Sequence, residues 1–206
     1  LVAVASKKAS NLNYFKKNFS IKENYCFNSY KDLINCPDVD VVYISLPNSY
    51  HYEWIMECLK ANKNVFVEKP AVTNFDQIKK LQNLVKNKEI FFSEAFMYRH
   101  CPHIKKISEE IKKGTIGKIN YMESSFHIKI YNFIKIFGFT IKKPNFSNRL
   151  FNLDLGGGSI LDLGCYPVSF IGLLCNYDDL RITDINGSFS TTNVDDHVEV
   201  EFEAKR

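Results

Sequence analysis

Hydrophobic positions along this chain follow two rhythms, and the rhythm changes near the middle. In the first half, short continuously apolar runs alternate with segments of helical period. Leu1–Ala5, Val41–Leu46, Val65–Val67 and Ile90–Ala95 read as strands of the kind buried on both faces, with Tyr25–Phe27 as a further short one. Between them Ala9–Phe19, Tyr30–Cys36, Tyr50–Ala61 and Phe75–Asn87 read as helices. Ser29 is placed to cap the second, and Thr73 or Asn74 the fourth. Trp54, Ile55, Cys58 and Leu59 share one face of the third; Ile78, Leu81, Leu84 and Val85 form the stripe of the fourth. Strand and helix alternating at this short spacing predict a parallel sheet with right-handed crossovers.

Pro102 opens a helix through Lys113, closed by Gly114 and Gly117. Beyond it the rhythm is mostly alternation. Lys118–Lys129 reads as a long strand, and Arg181–Ser190 with Val198–Glu203 as antiparallel strands about the polar turn Thr191–Asp196. Tyr131–Asn148 is aromatic and basic and fits neither period. Gly156–Phe170, GGGSILDLGCYPVSF, opens on three glycines and continues as a helix to about Cys175. Asp162 and Tyr166 stand four residues apart in it, a spacing that shares one helical face. The fold class expected is α/β, a parallel half followed by a mainly antiparallel half, with the boundary near residues 97–101.

Composition narrows this picture only a little. The chain has 206 residues, 45% of them hydrophobic, enough for a sizeable core. Its net charge of +4 comes from scattered lysines with no basic cluster, which argues against a nucleic-acid partner. Six cysteines, at 26, 36, 58, 101, 165 and 175, show neither a C-x-x-C pair nor zinc spacing, so no metal site is expected. They read as buried free thiols suited to a reducing, cytoplasmic setting. No apolar run is read as reaching the roughly 18 residues of a membrane helix, so no membrane partner is expected. The chain starts at Leu1 directly in a buried-strand pattern, with no methionine and no lead-in.

Ligands of an open parallel sheet bind beyond the carboxyl ends of its strands. That rule singles out Ser45–His51, Glu68–Pro70 and Glu94–Arg99. Glu68-Lys69-Pro70 is the sharpest of the three. It sets a lysine at the ligand edge directly between a buried strand and a proline that fixes the turn.

These stretches together resemble the Gfo/Idh/MocA family of glucose–fructose oxidoreductase and inositol dehydrogenase-like enzymes. The residues that carry the resemblance are SLPNSYH at 45–51, VFVEKPA at 65–71, SEAFMYRHCP at 93–102 and GGGSILDLGCYPV at 156–168. They stand in the family's order, and the last two look closest to the branch with dihydrodiol dehydrogenases. The resemblance implies an incomplete Rossmann-type domain over residues 1–98, then part of an α+β substrate domain over 99–206 with a mainly antiparallel sheet. It implies that Lys69 sits by the nicotinamide and the substrate carbinol, that Tyr166 is the general acid/base, and that Asp162 lies beside it. A lysine cation that stabilises phenolate would suit proton transfer by a tyrosine near neutral pH. Leu46, Pro47, Asn48 and His51 would lie along the cofactor; His51 would equally serve as a cap of its helix start. Glu68 would tether Lys69 or the cofactor ribose, or be a plain surface carboxylate. Arg99 would meet substrate or pair with an acid.

The departures from the family also carry information. A G-x-G-x-x-G turn, which holds pyrophosphate at a helix N-terminus, is absent, and Gly156–Gly158 is not that loop. Leu1–Ser6 resembles the family's second strand, so the chain is expected to be part of a longer enzyme. As it stands it should bind dinucleotide weakly and expose sheet edges that lower solubility. Ala5-Ser6-Lys7-Lys8 ends that strand with no acid and two cations, so Ser6 and Lys7 favour NADP over NAD. The expected activity is hydride transfer between NAD(P) and the carbinol carbon of a sugar, polyol or diol. The alternatives are a non-redox lyase or glycosidase that uses a transient hydride, and a non-catalytic scaffold. A homo-oligomer through the antiparallel sheet of the longer protein is a further expectation.

Overall fold

The computed structural model describes residues 1–86 and 88–204; Asn87, the expected last residue of the fourth helix, lies outside them. The chain divides into two compact units, Leu1–Leu46 with Tyr50–Ala95, and Pro47–Ser49 with Phe96–Arg206.

The first unit is parallel throughout. β1 (Val4–Ala5) pairs with β2 (Cys26–Phe27), and β3 (Val41–Ile44), β4 (Asn64–Glu68) and β5 (Phe92–Ala95) form a three-stranded sheet in that order. Helices α1 (Ala9–Phe19), α2 (Tyr30–Asn35), α3 (Asn48–Lys60) and α4 (Phe75–Lys86) make the crossovers. Local chemistry sets their ends. The Ser29 hydroxyl accepts from the Asp32 amide at 3.3 Å, and Asn74 Oδ1 accepts from the Gln77 amide at 3.1 Å. Gln77 reaches back to the Thr73 amide at 3.1 Å, so of the two candidate caps Asn74 accepts the helix bond and Thr73 donates outside it.

Val42 and Ile44 of β3, Val65 and Val67 of β4, Ile55, Cys58 and Leu59 of α3 and Leu81 of α4 make one contiguous core. It covers one face of the three-stranded sheet. Val41 and Tyr43, on the other face of β3, are 51% and 53% exposed. Burial on both faces, expected for Val41–Leu46, is therefore corrected: among the described residues no helix of this unit covers the Tyr43 side. Ile78 and Leu84 of the α4 stripe are also exposed, so buried Leu81 and half-buried Val85 make its contact with the core. β1 is shorter than expected: its partner among the described residues, β2, is two residues long, and Leu1 and Val2 are exposed. All six cysteines are free, but only Cys58 is fully buried. Burial pushes its thiol up to about 12.

The second unit is antiparallel. After α5 (Pro102–Lys112) come a hairpin of β6 (Asn132–Ile136) with β7 (Phe139–Lys143), then α6 (Cys165–Leu174), then a longer hairpin of β8 (Leu180–Phe189) with β9 (Asp195–Ala204). One expectation fails here, and one unassigned stretch finds its structure. Lys118–Lys129 forms no strand, since no neighbouring segment among the described residues pairs with it, and alternation without a partner leaves backbone groups to water. The unassigned 131–148 stretch holds the first hairpin. Its turn, Phe137 (φ 48°) and Gly138 (φ 83°), has both central residues left-handed, the I′ geometry that matches strand twist. The usual signal for that turn is Asn-Gly or Asp-Gly; phenylalanine in its place hid it.

The glycine-led segment is not one helix. Leu153–Leu155 is a 3₁₀ turn, Gly156 and Gly158 take φ of 71° and 114°, and Ile160–Gly164 is a π turn that runs into α6. By length and composition Leu153–Leu174 is apolar enough to cross a membrane, against the sequence reading. Its two left-handed glycines break it into short pieces, and it carries Asp162, which pairs with Arg149 just upstream of it.

Candidate active-site residues

In the first unit the candidates gather at the carboxyl ends of β3 and β4, where the valine-rich strands give way to Leu46-Pro47 and Lys69-Pro70. Lys69 and Glu68 are half-buried, and Pro70 is buried behind a cis peptide bond. The Glu68 carboxylate accepts a hydrogen bond from the Tyr43 hydroxyl on the adjacent strand. Burial, followed by this bond, pushes the Tyr43 phenol up to about 12. The segment after Lys69 is fixed from two sides. Glu94 of β5 accepts from the Ala71 amide at 2.7 Å, and His51 of α3 meets the Pro70 carbonyl at 2.8 Å. The other ring nitrogen of His51 lies 2.7 Å from the Leu46 carbonyl, and the ring is fully buried.

At the end of β1, Ser6 is half-buried while Lys7 and Lys8 are exposed. The Ser6 hydroxyl accepts from the Lys8 amide at 3.2 Å, and the Lys7 ammonium stands 5.8 Å from the centre of the Tyr30 ring. No carboxylate belongs to this strand end.

The second unit holds the others. Pro47 is half-buried; Asn48 is buried and donates to the Gly156 carbonyl at 2.9 Å. Asn48 is therefore a tie to the glycine segment and not an open edge residue. Arg99 is exposed in the 3₁₀ turn Met97–His100. Asp162 is buried in the π turn and paired with Arg149 at 3.0 Å. The Tyr166 ring meets Phe126, Phe96 and Tyr98 edge-on, with centroids 5.3, 5.8 and 5.9 Å away. Tyr98 in turn donates its hydroxyl to Ser169 at 2.9 Å.

The glycines close this helix start instead of opening it. A Cβ on Gly157 would fall 2.6 Å from the Leu150 carbonyl oxygen, and one on Gly158 would fall 2.1 Å from Asp195. Asp195 accepts from the Ile160 amide at 2.6 Å and from the Ser159 hydroxyl at 2.7 Å. A carboxylate of the chain itself therefore fills the place a phosphate would take at this N-terminus. Arg149 and Asp195 are not among the sequence candidates, and Glu94 enters there only as the first residue of the Glu94–Arg99 strand end. Each acts through a partner 13 or more positions away, and no local pattern signals that.

The residues fit a dinucleotide at two ends. Ser6, Lys7 and Lys8 offer donors and positive charge for a ribose phosphate, and Lys69 stands at the sheet edge where a nicotinamide would lie. The middle is not supplied by these 206 residues, since no glycine precedes Gly114. Among the described residues no group of three or more His, Cys, Asp or Glu could hold a metal ion.

A parallel α/β half with its chemistry at the carboxyl strand ends defines a Rossmann-type nucleotide-binding protein. Residues 1–96 match the Gfo/Idh/MocA model, an oxidoreductase family with an NAD-binding Rossmann fold. Trans-1,2-dihydrobenzene-1,2-diol dehydrogenase of Xenopus tropicalis is 29% identical over 95% of this chain and 54% of its own length. D-xylose 1-dehydrogenase (NADP(+)) of Hypocrea jecorina is 34% identical over 83% of this chain and 43% of its own. A 3-ketoreductase from Actinomadura kijaniata, solved in complex with NADP and TDP-benzene, superposes with a TM-score of 0.84 at 27% identity, covering 99% of this chain and 58% of that one. The chain spans about half the length of the curated relatives it matches.

Proposed function

We propose that this protein is an NADP-preferring oxidoreductase that moves a hydride between the cofactor and the carbinol carbon of a sugar, polyol or diol. The observation that carries the reading is Lys69, half-buried at the carboxyl end of the middle strand of a parallel sheet whose stretch matches an NAD-binding oxidoreductase family. The named activities of the relatives, a dihydrobenzenediol dehydrogenase, a D-xylose dehydrogenase and a 3-ketoreductase, support the substrate class. The acid-free strand end at Ser6-Lys7-Lys8 supports NADP.

In this reading a bound nicotinamide supplies the hydride acceptor or donor, and the chain supplies everything else. Tyr166 takes or returns the hydroxyl proton of the substrate. Its ring is held edge-on among Phe96, Tyr98 and Phe126, which restrict its tilt. Asp162, kept in place by Arg149, orients the substrate hydroxyls, and Arg99 is an exposed donor for the same purpose. Lys69 favours the phenolate through its charge.

The test is reduction of NADP by the intact protein across a panel of aldoses, polyols and a trans-dihydrodiol, followed by absorbance. Tyr166→Phe should lower kcat about 10²- to 10⁴-fold, the range of a lost general acid/base. The dissociation constant of NADP should move by no more than about twofold, because the loss is confined to the transition state. Unchanged turnover in Tyr166→Phe would remove tyrosine from the role.

A further inference from the structure

Among the described residues His51 is the most deeply buried polar side chain, at 0% exposed, and both of its ring nitrogens face backbone carbonyl oxygens. Leu46 O lies 2.7 Å from Nε2, and Pro70 O lies 2.8 Å from Nδ1. A carbonyl oxygen can only accept. A neutral imidazole carries one N–H and one lone pair, so in either tautomer one of these contacts would set a lone pair against a lone pair at hydrogen-bond distance. Only a ring with a proton on each nitrogen satisfies both.

We infer that His51 is held as an imidazolium that straps the end of β3 to the turn beyond β4 and so positions Lys69, the residue directly before Pro70. Two charge-assisted bonds, shorter than the usual N–H···O distance, offset the cost of burying the ring and of placing a cation in the first turn of a helix. The charged groups around this strap come from three elements. Glu68 and Lys69 close β4, and Glu94 of β5 holds the Ala71 amide one residue past Pro70. On α3 itself Glu53 is exposed, and Glu57 pairs with Lys60 and Lys31. Glu94 is thus the carboxylate that fixes the same turn from the neighbouring strand. His51 acts through the backbone and touches no reacting group, so it is a positioning residue; its effect on turnover rests on the functional reading above.

The strap is tested first without activity. Long-range proton–nitrogen correlation spectra of histidine-labelled intact protein count ring protons at about pH 7.5, where an ordinary exposed histidine is mostly neutral. The other four histidines, at 100, 103, 127 and 197, are exposed, so the slowly exchanging ring is His51 even if a variant fails to fold. Protons on both nitrogens are expected; a ring with one bare nitrogen overturns the inference. Positioning is then read from His51→Gln with ¹³C-methylated lysines: the Lys69 signal should shift, and an unmoved signal rejects that half. In the enzyme assay His51→Gln should lower kcat about 10- to 100-fold, the scale of a small misplacement. In the Lys69→Ala background it should add little, and effects that multiply in full would refute a shared action. If no substrate is turned over at all, the functional reading fails, while the proton count and the Lys69 signal still decide the strap.

Discussion

The two units of this chain hold their candidate residues by different means. In the first, the partners are largely backbone. His51 bonds two carbonyls and Glu94 bonds an amide, above a core in which Ile55, Val65, Val67 and Cys58 are wholly buried. In the second, the partners are mostly side chains: Arg149 on Asp162, three rings around Tyr166, and Asp195 on Ser159. Its buried hydrophobics are few, Leu150, Phe151 and Val194. All nine glycines also fall in it. A site bound through the backbone survives most substitutions around it, whereas one bound through side chains depends on each partner.

The largest test of that contrast is the core itself. Ile55→Ala should cost about 2–5 kcal/mol, the range for emptying a fully buried aliphatic site. Trp54 is the single tryptophan, with Tyr30 edge-on at 4.9 Å, so its fluorescence in a urea titration reports the first unit. Val194→Ala should leave that midpoint nearly where it was. Equal shifts from the two variants would break the comparison.

The same contrast explains what could be read from the sequence. In the first unit the parallel order, α1 as Ala9–Phe19, and the placing of Lys69 at a strand end all follow from apolar runs cut by proline, because strand, stop and turn are local signals. In the second unit the β8–β9 hairpin is legible from alternation, but the Phe137-Gly138 turn is not. The alternation of Lys118–Lys129 misleads because a strand also needs a partner. The spacing of Asp162 and Tyr166 was drawn on an ideal helix, and the π turn at Ile160–Gly164 changes that register. Asp195 closes the glycine segment from 35 residues away, a distance at which sequence gives no pairing signal.

Asp195 supplies a test of intermediate size. Asp195→Ala removes the oxygen that accepts two hydrogen bonds at the start of the π turn and should cost about 1–2 kcal/mol, as for the loss of a helix cap. Because the carboxylate also occupies the place of an anion, Asp195→Asn should keep part of that stability through its remaining carbonyl oxygen. Thermal melts of the three proteins decide this. If alanine and asparagine fell together, it would be charge and not hydrogen bonding that holds the segment.

The smallest effect sets one tyrosine–carboxylate pair in each unit against the other. Tyr43 donates to Glu68 in the first, and Tyr131 to Asp196 in the second. Burial first, then the carboxylate, raises both phenols, Tyr43 to about 12. The sign follows from proton counting. Between the ordinary tyrosine value near 10 and about 12, folded Tyr43 keeps a proton that the unfolded chain has lost. Its contribution is therefore complete below pH ~10 and drains away as pH rises through that window. Tyr43 is 53% exposed, so solvent screening holds the amount to under about 1 kcal/mol. Tyr43→Phe should flatten the alkaline fall of the Trp54-reported midpoint across that window. Tyr25, raised by its own bond to Asp38, should leave a residual slope. Tyr131→Phe should leave the Trp54 profile unchanged, because its pair belongs to the other unit. A Trp54 profile that answered to Tyr131 and ignored Tyr43 would reverse the assignment of alkaline sensitivity to the open face of the parallel sheet.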